Sequence, residues 1–279
     1  MTSRDLRSGL TIVAAMGFII GVLMAWRARL IAPYRAQVRH VVVRVPRRHR
    51  NLAGLTIAFV TDTHIGPHFA APDLEPVVRR LEAIEPDIVL FGGDYICESP
   101  RFMADAAPVL GRMAATARYG AWGVMGNHDL SNIRERVVPP LEEAGIRILT
   151  NDAVCVETDR GALWIVGIDN GLIGGPDLDA AFSKVPPDGA AICLWHEPDR
   201  IEESAPYGAF LQLSGHSHGG QVRLPGIGGI AAPLLGKRYP LGRYVIGDGE
   251  LYVSSGLGMY RPPVRFNCPP ELTIVRLID

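Results

Sequence analysis

The stretch that organises this chain is Phe210-Leu211-Gln212-Leu213-Ser214-Gly215-His216-Ser217-His218-Gly219-Gly220. Its first four residues predict a short buried strand, and two histidines follow that strand two positions apart. The glycines beside them remove Cβ bulk and permit the positive φ angles that a tight turn often needs. Two imidazoles in this setting can face one point. The stretch therefore fits either a metal site or a glycine-rich turn with two exposed histidines.

Three β-prone runs in the first half of the chain also end in polar residues, and helical patterns follow each of them. The runs and helical patterns lie at 55–60, 76–84, 88–91, 106–117, 121–124 and 134–144. This alternation predicts a parallel α/β sheet with right-handed crossovers. The polar clusters begin at Asp62, Asp94 and Asn127, spaced by 32 and 33 residues, and one βα unit takes ~30. Because parallel strands end at the same sheet edge, we expect the clusters to converge there.

The second half of the chain predicts further strands and one more polar cluster. The strands are expected at 154–157, 162–167, 191–195, 210–213, 251–254 and 272–277. His196 follows the third of them directly. The two halves together offer one set of side chains at strand ends: Asp62, His64, Asp94, Asn127, His128, His196, His216 and His218.

This set has the ligand chemistry of divalent metals. It combines five of the eight histidines with carboxylates and an amide oxygen, which Mn²⁺, Fe²⁺ and Zn²⁺ all accept. The four cysteines are widely spaced without a CxxC pair, which argues against a structural zinc. Eight groups are too many for one ion. They suit two ions that share a bridging carboxylate and keep positions open for water and substrate.

Five motifs in this order resemble the calcineurin-like metallophosphoesterase superfamily: DxH (Asp62, His64), GD (Gly93, Asp94), GNHD (126–129), a lone His196 and GHSH (215–218). The resemblance runs from about Val41 to the C-terminus, and residues 219–226 resemble a bacterial branch that is often membrane-anchored. Ser217 stands where that branch often has threonine. The resemblance implies an α/β fold, a four-layer α/β/β/α sandwich, and a metal-dependent hydrolase of phosphoric ester or pyrophosphate bonds.

The resemblance also implies a role for each motif residue. The first metal is expected on Asp62, His64, Asp94 and His218. The second is expected on Asp94, Asn127, His196 and His216, so that Asp94 bridges the two. His128 is expected near the leaving group, as proton donor or transition-state stabiliser, and Asp129 either orients His128 or is a plain helix-start acid. Mn²⁺ is the expected metal in both positions, with Fe²⁺, Zn²⁺ or Mg²⁺ as alternatives.

An uncharged N-terminal run predicts a membrane anchor. Residues 8–26 carry no charge, and a helix of that length spans ~28 Å, close to a hydrocarbon core of ~30 Å. The run lacks a small-x-small cleavage site at its end, which argues against a signal peptide. The predicted organisation is a tail at 1–8, an anchor at 9–26, a basic juxtamembrane segment with the first strand at 27–50, and the metallophosphoesterase domain at 51–279.

The charges are divided unevenly along the chain. Residues 27–50 hold eight arginines and no acid, whereas residues 51–279 hold 18 Lys and Arg against 28 Asp and Glu, a balance of −10. The basic segment after the anchor favours a single-pass protein of the bacterial inner membrane with its catalytic domain in the cytoplasm, an outward-facing domain being the alternative. The acidic body argues against a nucleic-acid partner.

These features predict a two-metal phosphoesterase that acts on a phosphate-containing, lipid-linked substrate at the bilayer. The sharpest expectation is hydrolysis of UDP-2,3-diacylglucosamine in lipid A synthesis, an activity of the branch that the chain resembles. One alternative is a broad-specificity phosphodiesterase on cell-envelope substrates. Another is an inactive metal-binding scaffold, which is disfavoured because every expected motif position is filled.

Two further stretches leave alternatives open. Residues 224–241 are apolar, with Lys237 and Arg238 near their end. They form either a lip that meets the bilayer or an acyl chain, with the basic pair on a phosphate, or a loop that packs onto the domain. We expect the packed loop. Arg261 and Arg265 either bind an anionic substrate or form solvent-exposed salt bridges, and we expect the salt bridges.

Overall fold

The computed structural model describes residues 3–97, 99–131, 134–247 and 249–279, with side chains from residue 13 onwards. The helices in these residues are α1 (Ser3–Leu30), α2 (Glu75–Ile84), α3 (Met103–Ala114), α4 (Asn127–Leu130), α5 (Arg134–Glu143), α6 (Leu178–Phe182) and α7 (Ile201–Ser204). The strands are β1 (Gln37–Arg44), β2 (Thr56–Val60), β3 (Ile88–Phe91), β4 (Ala121–Gly123), β5 (Ile146–Ile148), β6 (Asp152–Thr158), β7 (Gly161–Gly167), β8 (Ala191–Leu194), β9 (Leu211–Ser214), β10 (Arg223–Leu224), β11 (Gly228–Gly229), β12 (Gly242–Ile246), β13 (Gly249–Val253) and β14 (Glu271–Ile278).

Two six-stranded sheets form the body of the protein. The first has the order β1-β14-β2-β3-β4-β5, and the second has the order β12-β13-β9-β8-β7-β6. Strands β2, β3 and β4 are parallel, which confirms the predicted βα organisation of the first half. Strand β14 runs antiparallel to β2, and β1 runs parallel to β14.

The apolar side chains of each strand divide between two cores. In β2, Ile57 and Phe59 pack between the two sheets, where they join Leu163 of β7. The alternate residues Ala58 and Val60 belong to a second core, together with side chains of α2, α3 and α5. The far face of the second sheet packs against α6 in a third cluster. Strands with two apolar faces need cover on both, and the result is the predicted α/β/β/α sandwich.

Some elements are not predicted by the sequence pattern. Strand β5 has three residues directly after Gly145, too few to show a period of two. Strand β12 is half-exposed along its length, and its apolar run has only three residues, at 244–246. Both are edge strands, since each pairs with only one neighbour among the described strands of its sheet. Edge strands need less apolar surface than central ones, which weakens their sequence signal.

The N-terminal helix stands apart from both cores. Within the described residues, Val13–Tyr34 is the one segment long and apolar enough to cross a membrane. Its large apolar side chains, Trp26 among them, are exposed, whereas Ala28 is buried where the helix meets the domain. The basic segment that follows contains β1, an edge strand of the first sheet. The predicted limits of anchor and domain stay predictions.

The core between the sheets generates a stability prediction. Leu163→Ala removes a fully buried side chain from that core. We expect the free energy of unfolding to fall by about 2–5 kcal/mol, because lost transfer energy and a residual cavity add. The matched control is Val245→Ala on β12, where the side chain is 70% exposed, with an expected change within about 0.5 kcal/mol. Urea unfolding of the full chain in detergent measures both, and equal effects would contradict the layer assignment.

Candidate metal centre

The predicted strand-end side chains lie together at one edge of the sandwich. Asp62 and His64 follow β2, Asp94 follows β3, and Asn127 begins α4 just after β4. His196 follows β8, and the pair of histidines in the GHSH turn follows β9. Both sheets thus contribute to one site, as expected from the convergence of parallel strand ends.

A first group of ligand atoms surrounds His64. Its Nε2 atom lies 3.4 Å from Asp94 Oδ2, 3.9 Å from Asp62 Oδ1 and 2.9 Å from His218 Nε2. His218 Nε2 is in turn 3.4 Å from Asp62 Oδ1. Ligand atoms ~2.1 Å from one ion and at right angles to each other are about 3.0 Å apart. The spacing of the group therefore fits one divalent cation.

A second group lies on the other side of the Asp94 carboxylate. His196 Nε2 is 3.2 Å from Asp94 Oδ2, the same oxygen that faces His64. Asp94, His196 and His216 offer ligand atoms that all lie within 4.8 Å of one another. Asn127 Oδ1 is buried and has no hydrogen-bond partner, as is also true of His196 Nε2. Buried polar atoms without partners are costly, and a cation would satisfy the Asn127 oxygen and, once His196 has lost its proton, the His196 nitrogen.

Backbone carbonyls set which ring nitrogen of each histidine faces the site. His196 Nδ1 lies 2.6 Å from the carbonyl of Gly92, and His216 Nε2 lies 2.8 Å from the carbonyl of Leu234. These nitrogens donate hydrogen bonds to the carbonyls, which leaves the other nitrogen of each ring to face the ligand groups. Outer hydrogen bonds of this type orient histidine ligands in metal sites.

Five of the seven predicted ligands adopt a left-handed backbone. The φ angle is positive at Asp62 (51°), His64 (42°), Asp94 (53°), His216 (65°) and His218 (50°). This conformation costs about 1–2 kcal/mol for a residue with a Cβ. Hydrogen bonds between the turns hold it, including His64 N–H to the Asp94 carbonyl at 3.0 Å. Strain of this kind is concentrated at functional sites.

Two glycines of the motifs are required by the closeness of the carboxylates. A Cβ atom on Gly126 would overlap Asp94 Oδ1, and a Cβ on Gly215 would overlap Asp62 Oδ2. Glycine is thus the residue that lets each carboxylate lie against the neighbouring turn. The glycine of GNHD therefore leaves room for the Asp94 carboxylate, and the glycine of GHSH leaves room for the Asp62 carboxylate.

Asp129 holds the turn that carries Asp94. Its buried carboxylate accepts N–H groups from Asp94 at 2.7 Å, Tyr95 at 2.9 Å and Gly126 at 2.9 Å. The Gly126 bond caps the start of α4, so Asp129 is a helix-start acid with a further structural task. The prediction that it orients His128 is not supported, because no hydrogen bond joins it to the His128 ring among the described residues.

His128 lies at the open side of the site. Its backbone N–H donates to Asp94 Oδ1 at 2.9 Å, while its half-buried ring lies 4.9 Å from the His64 ring, centre to centre. The Tyr260 ring is 4.6 Å from the His128 ring. The Gln221 side chain holds the backbone of Tyr260 through two hydrogen bonds: its Oε1 accepts the Tyr260 N–H at 2.9 Å, and its Nε2 donates to the Tyr260 carbonyl at 3.0 Å. Sequence reasoning missed Tyr260 and Gln221, since neither is part of a strand-end motif.

Burial and charge act in opposite directions on the histidines. Burial lowers the pKa of His64 to about 3 and that of His216 to about 4, so both rings are neutral at pH 7. At His196 burial also lowers the pKa, but the carboxylates of Asp94 and Asp62 outweigh it and raise the pKa well above its usual value. A cation that binds at His196 therefore has to displace a proton.

The charge balance of the site also fits divalent cations. Asp62 and Asp94 are buried, and the described residues contain no Lys or Arg side chain in an ion pair with either of them. Buried carboxylates need compensating positive charge. Carboxylate oxygens, an amide oxygen and neutral imidazoles together can supply it by binding Mn²⁺, Fe²⁺ or Zn²⁺.

The predicted substrate-binding cations have different surroundings. Arg265 is fully buried, and its guanidinium donates to the carbonyls of Ser255, Gly256, Gly258 and Cys268. Both alternatives given for it, substrate binding and an exposed salt bridge, are therefore wrong, because its donors are satisfied inside the protein. Arg261 is exposed and lines the cleft above the metal groups.

The loop at 224–241 also differs from expectation. The side chains of Ile227, Ile230 and Leu234 are exposed, so the prediction that they pack onto the domain is wrong. Lys237 and Arg238 do not line the cleft; their backbone N–H groups donate to Asp199, and the Arg238 guanidinium pairs with Glu202 at 2.8 Å. A cleft of about 350 Å³ lies between this loop and the metal groups, and its walls include Asn127, His128, His216, Ile230, Pro233 and Tyr260.

Comparisons with known proteins agree with this geometry. The profile of the calcineurin-like phosphoesterase family matches residues 55–220. The chain is 31% identical to the metallophosphoesterase YkuE of Bacillus subtilis (strain 168), over 90% of this chain and 88% of that protein. It is 31% identical to the phosphodiesterase YaeI of Escherichia coli (strain K12), over 83% and 87%. It is 25% identical to the UDP-2,3-diacylglucosamine pyrophosphatase LpxG of Chlamydia muridarum (strain MoPn / Nigg), over 95% and 97%.

The glycine packing generates a prediction about metal binding. Gly126→Ala places a methyl group against Asp94 and displaces the carboxylate that both ligand groups share. We expect metal affinity to fall by about 10–100-fold, the effect of disturbing the support of a metal ligand. Metal content after dialysis measures it. Gly175→Ala is the control, because a Cβ there meets no atom within 4 Å; equal metal content in the two variants would refute the role of Gly126.

Proposed function

This chain belongs to the calcineurin-like phosphoesterase family, and from that premise we propose that it is a two-metal hydrolase of a phosphodiester or pyrophosphate bond in a lipid-linked substrate. The observation that carries the proposal is the position of Asp94 Oδ2. It lies 3.4 Å from His64 Nε2 and 3.2 Å from His196 Nε2, and so faces both ligand groups.

In this proposal the two groups hold the two ions in the way that the family resemblance implies. Asp62, His64, Asp94 and His218 bind one ion, and Asp94, Asn127, His196 and His216 bind the other. Two divalent ions supply activation of water and neutralisation of phosphoryl charge. The chain itself holds the ligands in position through the strand ends, the left-handed turns and the hydrogen bonds of the Asp129 carboxylate.

His128 is proposed to act on the leaving group. Its ring is half-buried at the border between the ligand groups and the open cleft. From there an imidazole can donate a proton to a departing oxygen, or offset the charge that develops on it. Tyr260 packs against one side of the ring and restricts its orientation.

The lipid-linked substrate is supported by the N-terminal helix and by one relative. Segment Val13–Tyr34 is a candidate membrane span, and LpxG is a UDP-2,3-diacylglucosamine pyrophosphatase. We therefore propose that α1 anchors the enzyme in the bacterial inner membrane with its domain in the cytoplasm, and that UDP-2,3-diacylglucosamine is the substrate. The greater identity to the phosphodiesterase YaeI favours a second candidate, a broad-specificity phosphodiesterase.

A comparison of two substrates tests the proposal. Purified full chain with Mn²⁺ is given UDP-2,3-diacylglucosamine and a soluble aryl phosphodiester, and products are identified by mass. We expect UMP and the lipid phosphate, with a kcat/KM well above that for the aryl ester. Cleavage of the aryl ester alone would reject the lipid substrate and favour the second candidate.

Asp94→Asn tests the shared carboxylate in the same assay. We expect both ions to bind more weakly and turnover to fall by more than the ~10–100-fold that follows loss of an outer partner of a metal ligand. Metal content and kcat are measured together, with Asp159→Asn at the exposed β6–β7 turn as control. Wild-type rate and metal content in Asp94→Asn would refute the bridging role.

His128→Ala separates catalysis from metal binding. The backbone N–H that donates to Asp94 remains in the variant, so metal content should stay unchanged. Turnover should fall by about 10²–10⁴-fold, the contribution of a positioned acid. His40→Ala, an exposed histidine on the edge strand β1, is the control. Loss of metal in His128→Ala would instead make His128 a ligand.

A further inference from the structure

A segment with several exposed apolar side chains lies beside the cleft. Residues 224–234, which we name the apolar lip, contain no polar side chain. The side chains of Ile227, Leu234 and Ile230 are 73%, 66% and 59% exposed. Soluble proteins seldom leave large apolar side chains exposed in one contiguous patch unless the patch meets a partner.

The apolar lip is also a wall of the metal site. Strands β10 and β11 pair as a hairpin whose turn includes Ile227. Beyond the hairpin, Ile230 and Pro233 line the cleft, and the carbonyl of Leu234 accepts the proton of His216 Nε2 at 2.8 Å. One side of the lip therefore faces solvent while the other side adjoins the ligand groups.

The end of α1 reaches the same part of the molecule. Gln37, the first residue of β1, pairs with Glu271, and two residues further along β14 Thr273 pairs with Phe59 near the end of β2. Strand β1 thus begins at the sheet edge that carries the metal groups. Pro225 of the lip lines a cavity together with Met24 and Arg27 of α1.

We propose that the apolar lip lies in the interfacial region of the bilayer that holds α1, so that the metal site opens directly at the membrane surface. The argument for a bilayer is continuity. The exposed apolar side chains of α1 end at Leu30, beside the basic residues Arg27 and Arg29, and the lip adjoins this end. Exposed Lys237 follows the lip, and basic groups beside an apolar surface suit anionic headgroups.

The position of the lip specifies the substrate class further. This step rests on the proposed hydrolase function of the metal groups. A phosphoester at the headgroup level can reach the cleft while its acyl chains stay in the bilayer beside Ile227. The enzyme would then take an amphiphile from the membrane surface without extracting it into water, and a soluble phosphoester would gain nothing from the lip.

Fluorescence quenching tests the placement without using activity. The full chain, with Trp26→Phe to remove the indole of α1, is reconstituted in vesicles of phosphatidylethanolamine and phosphatidylglycerol with brominated acyl chains. Ile227→Trp places an indole on the lip, and Val245→Trp places one at a side chain that is equally exposed. Val245 lies near the end of β12 remote from the metal groups, because β12 runs antiparallel to β13 and β13 parallel to β9.

We expect brominated lipid to quench the added emission in Ile227→Trp and to leave it unchanged in Val245→Trp. Equal quenching in both variants, or none in either, would overturn the proposal. The proposal would also be overturned if the added emission in Ile227→Trp were already blue-shifted in detergent and were not quenched in vesicles. A second copy of the chain would then cover the lip.

Kinetics provide an independent readout. Ile227→Ser should lower kcat/KM for UDP-2,3-diacylglucosamine in vesicles by about tenfold, the loss of part of the burial energy of an isoleucine. Hydrolysis of the soluble aryl ester should not change, and Val245→Ser should change neither. An equal loss on both substrates would overturn the proposal. Failure of the wild-type chain to cleave either ester would instead reject the hydrolase function, while the quenching result would still decide the place of the lip.

Discussion

The Asp94 carboxylate is the constraint on which the rest of the site depends. One of its oxygens accepts the His128 N–H, and the other faces His64 and His196 from the middle of the two ligand groups. Its backbone is held from behind by Asp129. Gly126 has to be glycine because the carboxylate occupies the space of a Cβ. A small change at this position reaches both proposed ions at once, since they share one oxygen.

The site is assembled against local backbone preference and against charge repulsion. Five ligand residues take positive φ, and two carboxylates are buried close to each other without a Lys or Arg partner among the described residues. Burial raises the pKa of Asp62 to about 7, because water no longer stabilises its charged form. Divalent ions would remove that repulsion, so metal binding should also stabilise the fold. Without bound ions, the two packed cores hold the turns in place.

The sequence predicted the features that repeat and missed those that depend on one contact. Three βα units with polar ends predicted the parallel half of the first sheet and the convergence of Asp62, Asp94 and Asn127, because period and spacing are local properties. The hydrogen bonds by which Asp129 holds the Asp94 turn could not be predicted, since those N–H donors lie 33–35 residues away along the chain. The burial of Arg265 was missed for a similar reason: composition cannot show that a loop will present four carbonyls to one guanidinium.

Arg265 explains how the end of α1 and the metal site are joined. Its backbone N–H donates to the Ala28 carbonyl at 2.9 Å, while its guanidinium fixes a loop in which Gly258 N–H donates to the Asp62 carbonyl at 2.7 Å. The order of strands is a second reason why the end of α1 lies near the metal site. Because β1 is antiparallel to β2, a chain that enters through β1 arrives at the edge where β2 ends. If α1 anchors the chain as proposed, the site edge, and not the opposite edge, would therefore lie towards the membrane.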